Sequence, residues 1–210
     1  LYVTPVTPFI SNVFFSKLTE PHVLTAVSKS SLVTASFNST TNKVDLVAVA
    51  DQFGADSILI TATVGARSTT KAFPITIVLV NDAPVVTGKT IAFNEPQTDS
   101  IVTVTYADYV DASMANAYGP SNETQTLKEA TLVSASNHVI KTVSVDVSNN
   151  LIFTLTGKLN GPDTVEVSVV DNDGTANGGE NSKTVKVIIN TAATDSDIEI
   201  NGSITFANQN

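Results

Sequence analysis

Val78-Leu79-Val80-Asn81-Asp82-Ala83-Pro84-Val85-Val86 runs from one hydrophobic stretch through an acidic turn and a proline into a second hydrophobic stretch. A paired strand is not expected to continue through Ala83-Pro84, because proline has no N–H to give a ladder and restricts the residue before it. The stretch therefore reads as a joint between two domains. On both sides of it, short apolar alternations are broken by turn residues about every eight to twelve positions, the pattern of a sandwich or barrel. Ile58, Ile60, Ala62 and Val64 fall on one face of a strand, with Ser57, Leu59, Thr61 and Thr63 on the other. That period of two, with no helical periodicity to compete, makes the chain all-β.

The alternation predicts strands over 9–16, 22–29, 32–38, 43–49, 56–64 and 72–80 before the joint. After it, strands are expected over 86–93, 100–106, 126–134, 141–147, 150–156, 163–170 and 183–190, a number that fits a Greek-key sandwich. The halves repeat each other. A shift of 107 aligns Leu32 with Val139, Asn42 with Asn149, Val44 with Leu151, Leu46 with Phe153, Gly54 with Gly161 and Asp56 with Asp163. Beyond the next loop the offset reads as 110, pairing Ile75 with Val185 and Ile77 with Val187, so the second copy is expected to carry a hairpin loop three residues longer. Internal repetition on this scale marks a tandem array. The expected domains are a sandwich over 1–82, a second over 83–194, and a tail over 195–210. In that tail Ile200-Asn201-Gly202-Ser203-Ile204-Thr205-Phe206 resembles Thr87-Gly88-Lys89-Thr90-Ile91-Ala92-Phe93. It reads either as the first strand of a third repeat or as a donor strand that completes the sheet of another molecule.

Composition narrows the function. Charged residues make up 15% of the 210, below the roughly 25% usual for soluble domains. Ser, Thr and Asn supply the polar surface, as suits half-buried strands. The formal charge of -9 opposes nucleic acid and anionic membranes and favours divalent cations as partners. No cysteine is present, which removes disulfides and thiolate zinc sites. No apolar run reaches spanning length, and Leu1-Tyr2-Val3-Thr4-Pro5 lacks the basic start of a signal peptide, so the sequence reads as a mature chain or a fragment.

In an alternating seven-strand sandwich whose first strand leaves the joint, the loops after strands two, four and six return toward it. Those loops carry Asp108, Asp111 and Glu123, then Asn149 and Asn150, then Asp171-Asn172-Asp173-Gly174-Thr175-Ala176-Asn177-Gly178-Gly179-Glu180. With Asn81 and Asp82 they gather hard oxygen donors of the kind calcium takes six to eight of. Each residue alone is also what a turn requires; the convergence is what points to Ca2+. The metal set read from the sequence is Asn81, Asp82, Asp108, Glu123, Asp171 and Asp173. The last loop is no EF-hand, since Thr175 and Ala176 stand where a ligand and an obligatory glycine would be.

Four stretches resemble bacterial cadherin-like tandem repeats: Ser30-Ser31-Leu32-Val33-Thr34-Ala35-Ser36, the closing Ile75-Thr76-Ile77-Val78-Leu79-Val80-Asn81-Asp82-Ala83-Pro84, Gly119-Pro120-Ser121-Asn122-Glu123-Thr124-Gln125, and the Asp171–Gly179 run. The resemblance covers nearly the whole chain. It implies calcium-rigidified, immunoglobulin-like sandwiches strung along large secreted or surface-attached adhesins, with Asn81 and Asp82 as linker ligands and Glu95, Asp171 and Asp173 beside them. The chain departs from the pattern in two places. Val64, Gly65 and Ala66 replace the acidic loop in the first copy, and Asn190-Thr191-Ala192-Ala193-Thr194-Asp195 replaces the linker after the second, leaving Asp195, Asp197 and Glu95 as a fallback oxygen set.

Catalysis finds no constellation: His22 and His138 stand outside any nucleophile or metal motif, and no Gly-x-Ser-x-Gly elbow occurs. Three Asn-x-Ser/Thr triplets, at Asn38, Asn122 and Asn201, are short enough to arise by chance. The sequence reading is a non-enzymatic, extracellular stalk or filament segment whose partners are neighbouring repeats or other copies of itself. Two alternatives stand beside it. One is a self-assembling subunit that donates residues 198–206. The other is a module that binds a surface glycan or protein through the 107–125 loop, with Tyr109 and Tyr118 as stacking residues.

Overall fold

The computed structural model describes residues 22–41, 43–121 and 123–194. The strand expected over 9–16, the tail strand over 198–206, Asp195, Asp197 and the triplet asparagines Asn122 and Asn201 lie outside them. The chain divides into two compact units. The first takes the described residues up to Ala83 together with Gly119–Gln125 and Asp173–Asn181; the second takes Pro84–Tyr118, Thr126–Asn172 and the described residues from Ser182 on.

In the first unit, β1 (His22–Ser28), β4 (Gly54–Val64) and β5 (Arg67–Ile77) form one antiparallel sheet in the order β1-β4-β5, and β2 (Val33–Asn38) pairs with β3 (Lys43–Ala48) in another. Their inward faces meet in one core of Ala26, Val33, Ile58, Ile60 and Ile77, with Leu32, Phe37 and Phe73 packed against it. The sheet ends where the sequence reading did not place it. β5 begins at Arg67, five residues before the expected 72, because Gly65-Ala66 closes a two-residue hairpin in which Val64 pairs with Arg67. The polar Ser68-Thr69-Thr70 was expected as loop, yet Thr suits an exposed strand. Beyond Ile77 the hydrophobic Val78, Leu79 and Val80 leave the ladder.

In the second unit, β10 (Leu127–Ala135), β13 (Gly161–Asp171), β14 (Ser182–Ala192) and β7 (Thr90–Asn94) make a four-stranded sheet in the order β10-β13-β14-β7. β11 (Ile140–Val145), β12 (Leu151–Leu155) and β8 (Ser100–Val104) make the opposing sheet, β11-β12-β8. The chain steps from β8 across to β10 and back through β11 to β12, beside β8, which is the Greek-key path. The period-two pattern appears as burial: Val165, Val167, Val169, Val187 and Ile189 are wholly buried from one sheet, Leu151 and Phe153 from the other. The strand expected over 86–93 is broken at Lys89 into β6 (Thr87–Gly88) and β7, because the chain changes partners there. β6 pairs with β9 (Val110–Asp111), whereas β7 runs parallel to β14. Lys89 makes the switch, its N–H donating to Tyr109 O at 2.9 Å and its O accepting from Ile188 N at 3.0 Å. A single helical turn, α1 (Tyr106–Tyr109), was not expected.

The five strands described in the first unit, β1-β4-β5 and β2-β3, have counterparts in the same order in the second, β10-β13-β14 and β11-β12, and local geometry repeats with them. Gly54 and Gly161 adopt φ of 122° and 119°, backbone that only glycine takes without strain, and Asp51 and Lys158 sit at 55° and 61°. Both pairs are 107 apart. Asp56 and Asp163, also 107 apart, are buried carboxylates that hold the loops after β1 and β10, respectively. The offset of 110 is corrected by the strand register. Asp56 faces Ile75 and Asp163 faces Ile189, an offset of 114, so the second hairpin is longer by 114 − 107 = 7 residues rather than 3. The same register sets Pro74 opposite Ser57, where the second unit has Ile188 opposite Thr164. Pro74 therefore lacks the N–H that Ile188 gives to Lys89.

Candidate metal centre

The residues expected to bind metal divide between the units. Asn81, Asp82, Glu123 and Asp173 belong to the first, Asp108 and Asp171 to the second. Within the second unit the expectation that three loops share one end is met locally. The start of β10 pairs with the end of β13 through Leu127 and Asp171, and β8 and β11 both end beside Leu151. Asn149 ties this end together, its Oδ1 accepting from Ala130 N and its O from Tyr109 Oη, both at 2.7 Å. Asp171 is wholly buried at the end of β13, on the same face as Val169. Asp108 is exposed and takes Thr105 Oγ1 at 2.5 Å, a local bond across α1. Asp111 likewise accepts from Ser113 N at 3.0 Å, and an Asp146-centred turn orders Asn149 and Asn150.

In the first unit the chain leaving β5 meets Gly119–Gln125 and Asp173–Asn181. Asn81 is buried and binds both segments through its backbone O and its side-chain amide. Its O accepts from Glu180 N at 2.9 Å and its Nδ2 donates to Glu180 O at 2.8 Å. Its Oδ1 accepts from Gln125 Nε2, which also donates to Glu123 Oε2 at 2.5 Å. Asn81, expected as a linker ligand, thus directs its amide oxygen to Gln125, a side chain the sequence reading passed over. Gln125 Oε1 is left as a buried oxygen with no hydrogen-bond partner.

Around this knot lie three carboxylates. Burial holds the Glu123 carboxyl above the usual range, and the negative charges of Asp82 and Asp173 push it the same way, against hydrogen bonds from Gln125 and the Asp82 backbone. Asp82 and Asp173 are exposed; Asp173 Oδ1 takes its neighbour Gly174 N at 2.9 Å. The donor types, carboxylates and an orphaned amide oxygen, fit a hard divalent cation and no soft one. Among the described residues, no three His, Cys, Asp or Glu side chains form a group able to hold a metal ion. Glu95, the weaker candidate, is buried in the second unit, where its Oε2 accepts from Asn160 Nδ2 at 2.9 Å.

The tyrosines named for stacking are not presented for it. Tyr109 is 0% exposed, and burial together with the charge of Asp146 pushes its hydroxyl up to about 12. It packs edge-on against Tyr106, with ring centroids 5.5 Å apart, and Tyr118 Oη donates to Tyr106 Oη at 3.3 Å. The cause is an apolar strand end that needs a cover, which the loop's own rings supply.

No family model and no curated protein matches the chain. Solved structures are similar to it at low identity. Human protocadherin-24 EC1-2 (Form II) is 15% identical over 82% of this chain and 82% of its own, with a TM-score of 0.43. Human mucin-like protocadherin EC1-2 is 14% identical over 85% and 92%, at 0.37. An endo-fucoidan hydrolase of glycoside hydrolase family 107 is 18% identical over 84% of this chain, at 0.33, and the chain spans 24% of that enzyme's length.

Proposed function

We propose that this chain is a non-catalytic, tandem-repeat segment of an extracellular protein, a calcium-stiffened stalk or filament part of a bacterial surface adhesin. The observation that carries the reading is the duplicated scaffold. The five strands described in the first unit keep the order of their counterparts in the second, with the same left-handed glycine and the same buried aspartate at a fixed offset, as copies of one repeat would. The outer faces, by contrast, are free to differ. Glu166 and Lys186, 3.6 Å apart in the second unit, correspond through offsets of 107 and 114 to Leu59 and Ala72 in the first.

Asp82, Glu123 and Asp173, with Gln125 Oε1, are the oxygens that calcium would have to draw together, since the three carboxylates do not by themselves form a metal-holding group. A bound divalent cation supplies positive charge that offsets their mutual repulsion. Without it Glu123 keeps a raised proton affinity, and the three segments carrying these groups repel one another. Metal bound only by the folded chain then adds stability by mass action. The test compares melting temperature and small-angle scattering of the whole chain in calcium and in chelator. The expected result is a rise in Tm of several degrees and a narrower distribution of dimensions in calcium. The shift should vanish in the triple variant Asp82→Asn, Glu123→Gln, Asp173→Asn. Identical profiles in calcium and chelator would overturn the metal part of the reading.

A further inference from the structure

We infer that Asn81 is not a metal ligand but a metal-independent clasp, a positioning residue that fixes the 119–125 and 173–181 segments of the first unit through hydrogen bonds alone. The inference departs from the calcium reading at this one residue and stands whether or not calcium binds. Three observations support it.

First, Asn81 grips Glu180 twice, by backbone and by side chain. One bond runs from Glu180 N to Asn81 O at 2.9 Å and one from Asn81 Nδ2 to Glu180 O at 2.8 Å. The grip suits an amide, which offers a donor to Glu180 O and an acceptor to Gln125 Nε2 from two separate atoms of one short side chain, whereas a carboxylate offers acceptors alone. Second, Asn81 is buried while Asp82, the next residue, is exposed. A bond made by a buried amide is not exchanged for one to water, so losing it leaves polar groups unsatisfied. Third, Gly179 lies flat against Asn81: a Cβ there would stand 2.9 Å from Asn81 N and 3.0 Å from both its Cβ and its O. Glycine at 179 is what lets the backbones approach closely enough for the clasp to close.

A clasp and a ligand predict opposite responses to Asn81→Asp. If Oδ1 were a ligand, a carboxylate would bind calcium more tightly. As a clasp, Asp places an oxygen against Glu180 O where a donor stood, and the loop is released. The experiment follows amide exchange at Glu180 in the full chain, in chelator and in calcium, for the natural sequence, Asn81→Asp and Gly179→Ala. Gly179→Ala leaves every carboxylate in place and disturbs only the approach. Protection of β4 and β13 amides confirms that each variant is folded.

The expected result is Glu180 protection in chelator for the natural sequence and about tenfold faster exchange in both variants, on the scale of one lost net hydrogen bond. Calcium affinity, read by titration with calcium alone, should not rise in Asn81→Asp. Two results would overturn the clasp: unprotected Glu180 in chelator in the natural sequence, or tighter calcium binding by Asn81→Asp with Glu180 protection retained. A natural chain that binds no calcium while Glu180 stays protected would remove the metal reading and leave the clasp.

Discussion

Asp163 collects four hydrogen bonds: from Ser136 Oγ at 2.6 Å and from the N–H groups of His138, Val139 and Ile140 at 3.1, 2.7 and 2.8 Å. Asp56 repeats the device with Ser28 Oγ, Ser30 N and Ser57 N. Removing the charged acceptor leaves buried donors unpaired, so Asp163→Ala should cost roughly 3 to 5 kcal/mol, measured by urea unfolding. Burial alone pushes the Asp56 carboxyl up, but the bonds from Ser28, Ser57 and Ser30 outweigh it and hold it at about 2, against an ordinary 3.8. Its contribution is therefore fully present above the ordinary value and fades as pH falls through 3.8 toward 2. Asp56→Asn should flatten the acid limb of unfolding in the first unit, followed by first-unit amide signals between about pH 5 and pH 2. The sequence reading aligned these two aspartates as a repeat without seeing their role, because a buried carboxylate with four donors and a solvated turn carboxylate are spelled alike. Asn81 was legible as important, but its hydrogen-bond partners were not. Its partners Gln125 and Glu180 are 44 and 99 residues away, and no local pattern signals them.

At the level of the strand, position along the chain was readable wherever side chains alternate between core and solvent. β1, β2, β3, β4, β8, β10, β11, β12, β13 and β14 lie within two residues of their expected bounds, since burying one face fixes both period and phase. The misses have one cause: pairing is decided by the partner strand and not by the period within a segment. Nothing within residues 86–93 shows that Lys89 hands the chain from β9 to β14. Likewise the two-residue hairpin at Gly65-Ala66 draws in polar residues that lack any apolar period. The hairpin offset slipped from 114 to 110 because the two differ by an even number and keep the same strand face inward, Ile75 meeting Val185 at one and Ile189 at the other. Packing offers the check on β12. Phe153 is 1% exposed and meets Phe93 edge-on with centroids 5.7 Å apart, so Phe153→Ala should cost about 3 to 5 kcal/mol. Leu46, its aligned counterpart in the first unit, is 41% exposed, and Leu46→Ala should cost less than 1 kcal/mol by the same urea measurement.

For the molecule as a whole, each unit carries its own core, with no residue shared between them. Ile58→Ala, a deletion in the first core of a side chain 1% exposed, should lower the stability of the first unit by about 2 to 5 kcal/mol. Amides of β13 and β14 should keep their protection, and hydrogen exchange read unit by unit checks it. A single cooperative loss of both sets would mean that the chain folds as one body. The all-β class and the sandwich were legible from composition and period, whereas the assignment of Gly119–Gln125 and Asp173–Asn181 to the first unit was not, since chain order places both after the joint. One proline matters most when many copies stand together. β5 is an edge strand among the described residues, and an open edge is a template on which the strand of a neighbour can add itself, copy after copy. With no N–H at Pro74, the rung that Ile188 supplies in the second unit is missing, and a growing ladder loses its register there. Pro74→Ile should therefore raise the light scattering of concentrated, folded protein by opening that edge to a neighbour's strand.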